Sequence, residues 1–286
     1  MEQKLKVFLT VVKHMNFSRA AEELFITQPA VSQYVKSLED ELGIKLIDRT
    51  NKKIRLTKAG SLVAYYGGEI STLNDRMKQA VEDLTGEVQG KLSVGASYSF
   101  GEYILPHIVA DFLEKFPSVD PHISIGNTHE IAEKVIHNEI DLGVVEGTVP
   151  SDKLIAEKIA TDRMYVIKGK KEQLDKPIHL NEETWIVREQ GSGTREAFDW
   201  FAAKNNIRPA KTLEFGSTQI IKEAVEAGLG VALLSEWTIR NELELEKLKI
   251  VGGGSLYYER NFYAIIHDAP FMTKTSETFI QFLRRD

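Results

Sequence analysis

The sequence predicts three parts in series: a small all-α N-terminal module closed by a two-stranded wing, a long linker helix, and an α/β body of two lobes. Three observations carry this. Residues 18–36 fit two short helices around a tight turn. From Ala59 to Val88 there is no proline, and apolar residues recur in steps of three and four. Beyond Gly90, stretches of period two alternate with stretches of helical period.

Composition sets outer limits. The 286 residues, 42% hydrophobic and 27% charged, suit a globular chain of two or three domains with a sizeable core. No apolar run approaches the roughly 20 residues that span a bilayer. The start, Met1-Glu2-Gln3-Lys4, lacks the apolar region of a signal peptide. There are no cysteines, which removes disulfides, zinc ribbons and thiol catalysis and agrees with a cytoplasmic setting. Charge is unevenly placed: residues 1–58 carry 11 Lys and Arg against 7 Asp and Glu, while the whole chain has a net charge of −6. A basic module on an acidic body fits a nucleic-acid-binding domain joined to a domain with another task.

The first helix is expected over about 3–14, from the spacing of Leu5, Phe8, Leu9 and Val12. Ser18 is a good N-cap for a second helix over about 18–25. Thr27 can cap a third, where Pro29 in the first turn costs little because its missing N–H would be unpaired anyway. In this third helix Val31, Val35, Leu38 and Leu42 make one apolar stripe. Pro29, Ser32, Gln33 and Lys36 point away from it. Gln can pair with adenine, Ser with several bases, and Lys with guanine or phosphate. A solvated helix face would have the same polarity; the short preceding helix and the cations that follow favour DNA. Those cations are Arg49, Lys52, Lys53, Arg55 and Lys58. Lys45-Leu46-Ile47 and Ile54-Arg55-Leu56 flank the turn 48–52 as two short strands, a wing whose cations would hold phosphates. The expected DNA-binding set is Ser18, Gln28, Pro29, Ala30, Ser32, Gln33, Lys36, Arg49, Lys52, Lys53 and Arg55.

Residues 1–60 closely resemble the DNA-binding domain of the LysR-type transcriptional regulators. The resemblance rests on the blocks Ala-Ala-Glu-Glu-Leu (20–24), Gln-Pro-Ala-Val-Ser (28–32), Leu-Glu-Asp-Glu-Leu-Gly (38–43) and Leu-Thr-Lys-Ala-Gly (56–60). Many members of that family carry Arg where this chain has Gln33. That departure removes one guanine reader and leaves the target sequence open.

In the linker, Tyr66, Ile70, Leu73, Met77, Ala80, Leu84 and Val88 form a heptad-like seam suited to pairing with a second copy. Gly67-Gly68 interrupt it near its start, as a bend or a close approach would require. A helix packed on its own chain is the other reading. The resemblance implies the dimer, and two-fold pairing would offer two recognition helices to a roughly palindromic site.

In the body, Leu92–Ala96, His122–Gly126, Ile140–Val145, Leu213–Phe215 and Gly230–Leu234 read as strands. Residues 100–116, 129–138, Thr194–Asn205 and Gln219–Ala227 read as helices. The alternation predicts α/β layers with mainly parallel sheets. The resemblance implies a two-lobed, periplasmic-binding-protein-like effector domain, with the chain crossing between lobes near Arg163 and His267. The expected domains are 1–58 for DNA binding, 59–89 for the linker, and 90–286 for the effector domain. Within the last, lobe I takes about 90–163 and 268–286, and lobe II about 164–267.

In such sheets ligands sit beyond the carboxyl ends of strands, where helix N-termini present free N–H groups. Four turns there carry hydroxyls or amides: Ser97-Tyr98-Ser99, Asn127-Thr128, Gly191-Ser192-Gly193-Thr194 and Gly216-Ser217-Thr218-Gln219. Each alone reads more simply as a plain N-cap; four together suit a small anion. The resemblance places an effector at the first and third. Ser97, Ser99, Asn127, Thr128, Ser192 and Thr194 are therefore the expected effector-binding residues. Arg195 is a possible charged partner and Glu146 a neighbour only.

Catalytic readings fit poorly. Gly191-Ser192-Gly193 has the wrong spacing for a nucleophile elbow, and Gly-Ser-Gly-Thr lacks the lysine of a phosphate-binding loop. None of the seven histidines falls in a His-Glu-x-x-His pattern. No enzyme activity, cofactor or metal is expected. The expectation is a cytoplasmic transcriptional regulator that senses a small anionic metabolite. Its partners would be double-stranded promoter DNA, the effector, copies of itself forming dimers and then tetramers, and RNA polymerase. The competing class is a small-molecule-binding or enzymatic α/β protein whose N-terminal helices serve assembly only. Gln33, Lys36 and Arg49 discriminate, since only the regulator needs them for DNA.

Overall fold

The first helix, α1 (Glu2–His14), buries Leu5, Phe8 and Val11 and stops where Met15 turns left-handed at φ 47°. In the computed structural model, residues 1–48, 54–82, 86–149, 151–170, 179–268 and 271–284 are described. They divide into two units, Met1–Val81 and Glu82–Asp286. Helix α2 (Phe17–Glu23) starts one residue earlier than the sequence suggested. Its cap is Asn16, not Ser18: the Asn16 side chain accepts from the Ser18 and Arg19 amides. Asn is as good a cap as Ser, and Phe17 can then be buried in the first turn.

Thr27 caps α3 (Gln28–Leu42), accepting from the Ala30 amide at 3.4 Å, and left-handed Gly43 ends it. Val31, Val35 and Leu38 are buried against α1 and α2 as their spacing requires, but Leu42 is exposed, beyond the reach of those two helices. Strands β1 (Ile47–Asp48) and β2 (Arg55–Leu56) pair antiparallel, Ile47 with Leu56 and Asp48 with Arg55. The tip of this wing, with Arg49, Lys52 and Lys53, lies outside the described residues.

Helix α4 (Lys58–Glu82) packs back on α1. A Cβ on Gly67 would stand 2.7 Å from the Leu5 side chain, so the glycine permits this approach. Asn74 donates to Glu2 at 3.0 Å further along. Tyr66, Ile70, Leu73 and Met77 are each more than half exposed. The helix ends before Val88, which instead packs into the core of the second unit, so the seam is shorter than its spacing implied. Leu84 lies outside the described residues.

The second unit begins with β3 (Gly90–Ser97), followed by α5 (Tyr98–Tyr103) and α6 (Leu105–Lys115). The single helix expected over 100–116 is two, because Pro106 in the first turn of α6 removes a donor and disfavours a helical residue before it. Then come β4 (Val119–Gly126), α7 (Thr128–Ile136) and β5 (Leu142–Glu146). The 16-residue β6 (Leu154–Gly169) leads to β7 (Thr184–Val187), α8 (Gly193–Lys204), β8 (Lys211–Glu214) and α9 (Thr218–Glu226). The chain closes with β9 (Ala232–Ser235), α10 (Glu236–Glu244), β10 (Leu248–Ile250), β11 (Tyr257–His267) and α11 (Lys274–Leu283).

The sheets are mixed rather than mainly parallel. β3 pairs parallel with β4 and β5, and β7 with β8. β6 and β11, however, run antiparallel to each other along their length, from Tyr257 opposite Tyr165 to His267 opposite Leu154. The first half of β6 and the second half of β11 belong to lobe I, where β11 pairs with β5. The second half of β6 carries β9 and β10 in lobe II. Both crossings therefore lie side by side, where Arg260 faces Asp162. The second expected crossing, near His267, falls some seven residues too late, because Phe262–Ile265 still pair with β5. Each lobe has its own core: Leu92, Phe112, Val144, Phe262 and Phe279 in lobe I, and Met164, Trp185, Phe198, Phe201 and Val231 in lobe II. Among the described residues no helix is long and apolar enough to cross a membrane.

Candidate functional site

The polar face of α3 is presented as its spacing requires. Gln28, Pro29, Gln33 and Lys36 are exposed, Ala30 and Ser32 half-buried, and Ser18 and Arg55 exposed on α2 and β2. Ser32 accepts a hydrogen bond from Gln28 Nε2 at 2.9 Å, so two of these groups are already oriented along one helix side. Between α3 and the wing, Ser32, Gln33, Lys36, Glu39, Lys45 and Ile47 line a groove of about 530 Å³.

Glu39, which sequence reasoning passed over, holds this groove together. Its buried carboxylate accepts from the amides of Leu46 and Ile47 at 2.9 and 3.2 Å and from Lys45 Nζ at 2.7 Å. Burial alone would raise its pKa, but the Lys45 contact and the two amides outweigh it and hold the carboxyl below its ordinary value. The reading helix and the wing are thus tied by one side chain. The signal was an acid on the apolar side of an amphipathic helix.

In the body, α7 of lobe I and α8 of lobe II point their N-termini at one cavity of about 530 Å³, lined by Thr128, His129, Thr148, Gln190, Gly191, Ser192, Gly193, Glu196, Asp199 and Trp200. Asn127 caps α7 within a capping box shared with Glu130. Ser192 caps α8 through the Thr194 amide at 3.2 Å. The lobes meet here by a backbone bond from His129 N–H to the Gly191 carbonyl at 3.2 Å and by Asn127 Nδ2 to Glu189 at 3.3 Å. Two helix N-termini turn the positive ends of their dipoles on the same space.

Of the expected effector residues, Thr128 and Ser192 line this cavity and Asn127 caps the helix beside it. Ser97, Ser99 and Thr194 are buried behind it around Arg260. Arg260 Nε donates to Asp162 at 2.8 Å, Nη2 to Ser99 Oγ at 2.9 Å and Nη1 to Thr194 Oγ1 at 3.2 Å. Glu146 lies 3.3 Å from Arg260 Nη1 and accepts from Ser97 and Ser99. Asp162 also accepts from Ser235 at 2.7 Å. Thr128 Oγ1 donates to the Glu146 carbonyl at 2.9 Å. Burial pushes the Glu146 carboxyl up, against the pull of Arg260. Burial would lower Arg260, but Glu146 and Asp162 more than compensate, so the guanidinium stays charged.

Arg195 is turned away from this centre, donating to Asp199, Glu214 and the Arg188 carbonyl. Glu146, read from sequence as a bystander, is at the middle. Arg260 and Asp162 were not foreseen. Charge alone did not single them out, since β6 also carries Glu157, Lys158, Arg163 and Lys168, and β11 also carries Glu259.

A helix-turn-helix with an exposed reading face, joined to a two-lobed body with helix N-termini in its cleft, defines a DNA-binding regulator with an effector domain. Residues 3–61 match the bacterial regulatory helix-turn-helix protein, lysR family, and residues 85–286 match the LysR substrate binding domain. The chain is 33% identical to the HTH-type transcriptional regulator CysL of Bacillus subtilis, over 98% of this chain and 95% of that one. It is 32% identical to the RuBisCO operon transcriptional regulator of Acidithiobacillus ferrooxidans, over 98% and 92%. Full-length CbnR complexed with its target DNA has the same fold, with a TM-score of 0.74 at 20% identity over 100% and 99% of the two chains. The Synechocystis CcmR regulatory domain in complex with 2-PG covers 68% of this chain and 96% of its own, at 26% identity and a TM-score of 0.62. The chain belongs to the LysR family of transcriptional regulators. It is a DNA-binding regulator with an effector-binding domain, not an enzyme.

Proposed function

We propose that this regulator reads promoter DNA through Gln28, Pro29, Ala30, Ser32, Gln33 and Lys36, with Ser18, Arg49, Lys52, Lys53 and Arg55 on flanking phosphates. A small anionic metabolite in the lobe cleft then alters promoter binding or bending. The observation that supports the effector reading is the convergence of the α7 and α8 N-termini on one cavity, with a residue of each lobe on either side. An effector that joins His129 and Thr128 of one lobe to Ser192 of the other favours one lobe arrangement. A coupling of about 1–3 kcal/mol then changes promoter occupancy several-fold. CcmR was solved with 2-PG on a domain similar to this one, which makes 2-PG a sensible first compound.

The setting is the cytoplasm, where the promoter and RNA polymerase are. The unit of action is a dimer paired through α4, assembling to a tetramer. The exposed stripe of Tyr66, Ile70, Leu73 and Met77 supports the pairing.

The test is a promoter-binding titration with Gln33, Lys36 and Arg55 all replaced by Ala. Binding to the native site should fall at least tenfold, and the salt dependence should flatten as phosphate contacts are lost. The fold, followed by circular dichroism, should be unchanged. Unchanged affinity would remove the assigned reading face.

A further inference from the structure

The hydroxyls that read as an anion site from the sequence are not vacant. The Glu146 side chain, at the carboxyl end of β5, reaches the Ser97 and Ser99 hydroxyls at the end of β3. It also reaches Arg260 on β11. Each donor that would hold the carboxyl of a bound ligand from behind is thus already turned on a carboxyl of the chain. Arg260 in turn carries the arrangement across the hinge, to Asp162 on β6, Ser99 in lobe I and Thr194 in lobe II. Glu146 and Asp162 are 2% and 0% exposed, so water does not compete for these groups. A buried guanidinium needs this many acceptors, because an uncompensated buried charge is strongly destabilising.

The backbone locks the same spot. A Cβ on Gly193 would lie 2.3 Å from the Glu146 carbonyl and 2.4 Å from its Cγ, so the start of α8 rests directly on Glu146. Thr128 Oγ1 also holds the Glu146 carbonyl. The residue therefore touches both helices whose N-termini form the outer cavity.

We propose that Glu146 is the built-in ligand of the cradle formed by Ser97, Ser99 and Arg260, and that it sets the specificity of the cleft by closing this cradle to free carboxylates. The inference rests on the effector reading above and refines it. An external effector docks in the outer cavity, on Thr128, His129 and Ser192, and a simple monocarboxylate has no seat. The outer cavity carries two acids of its own, Glu196 and Asp199. Glu196 is engaged by the Thr148 amide and hydroxyl, and Asp199 by Arg195. The positive ends of the two helix dipoles therefore remain to attract an anionic effector there.

Glu146→Ala tests this by chemical rescue, since acetate replaces the two carbons and two oxygens that the substitution removes. Thermal unfolding of the full chain is followed in acetate and in chloride at equal ionic strength. The E146A chain should melt lower than the parent, and acetate should raise its midpoint saturably by several degrees. Acetate should leave the parent chain unmoved, and also E146Q, whose amide still fills the space. Should E146A fail to fold in chloride, its refolding yield in acetate gives the same reading. Equal acetate shifts in all three chains, or no rescue of E146A in either assay, would overturn the proposal. Neither promoter DNA nor a physiological effector enters the readout, so failure here leaves the regulator reading standing.

Discussion

Glu39 is the residue on which the geometry of the DNA-binding module depends most. Its carboxylate satisfies two wing amides and one lysine. Glu39→Ala leaves buried N–H groups unpaired and should destabilise the module by about 2–3 kcal/mol. Glu39→Gln keeps one acceptor and should cost less. The pH dependence follows from the depressed pKa. The folded-state value lies below the ordinary 4.5, so the stabilisation is fully present above pH 4.5 and is lost as pH falls through the folded value. Unfolding midpoints measured from pH 7 to pH 3 should show this loss in the parent chain and less of it in the Gln variant. A parallel decline in both would assign acid lability to other groups. Such a residue is barely legible in sequence: it announces itself as a misplaced charge, but its partners seven and eight positions on depend on where the wing folds.

At the scale of elements, what could be read was local. Helices α1 and α3 follow from apolar residues three and four apart, and the N-cap at Thr27 and the turn at Gly43 fix the ends of α3. The strands β6 and β11 escaped notice because their burial pattern changes midway, where each passes from one lobe to the other. No single period runs through them. The Arg260–Asp162 pair likewise joins residues 98 positions apart, and only the strand register brings them together. The hydroxyl turns were found by local chemistry, but what fills them was set by that register. The close approach of α8 to β5 gives an element-scale prediction. Gly193→Ala inserts a methyl group against the backbone of Glu146, so α8 must move or the chain must strain. A loss of about 1–3 kcal/mol is expected in chemical denaturation. Promoter affinity of the folded variant should persist, while its response to any active effector should weaken. A variant as stable as the parent would mean that this junction is soft.

At the scale of the whole molecule, the question is how one reading face becomes a specific regulator. A single helix with a few base contacts and a handful of cations binds DNA weakly and is strongly salt-dependent. Joining two such modules turns the second encounter into an intramolecular one and multiplies affinity without any new contact. Helix α4 has the surface for that join. Ile70, Leu73 and Met77 are 58%, 62% and 58% exposed, although their spacing is that of a buried seam. Burying each would contribute on the order of 1.5–3 kcal/mol per side chain, enough in sum to hold a dimer at micromolar concentration. Leu73→Glu with Met77→Glu places four like charges in a paired seam but touches nothing inside one chain's core. Sedimentation should then find a lower oligomeric state at the concentration where the parent is a dimer or larger. Affinity for a two-half-site promoter should fall by a hundredfold or more, with affinity for an isolated half-site nearly unchanged. Helical content should stay the same, which separates lost pairing from lost folding. An unchanged oligomer would place the association elsewhere on the chain, and the two-site affinity would then have to be explained without α4.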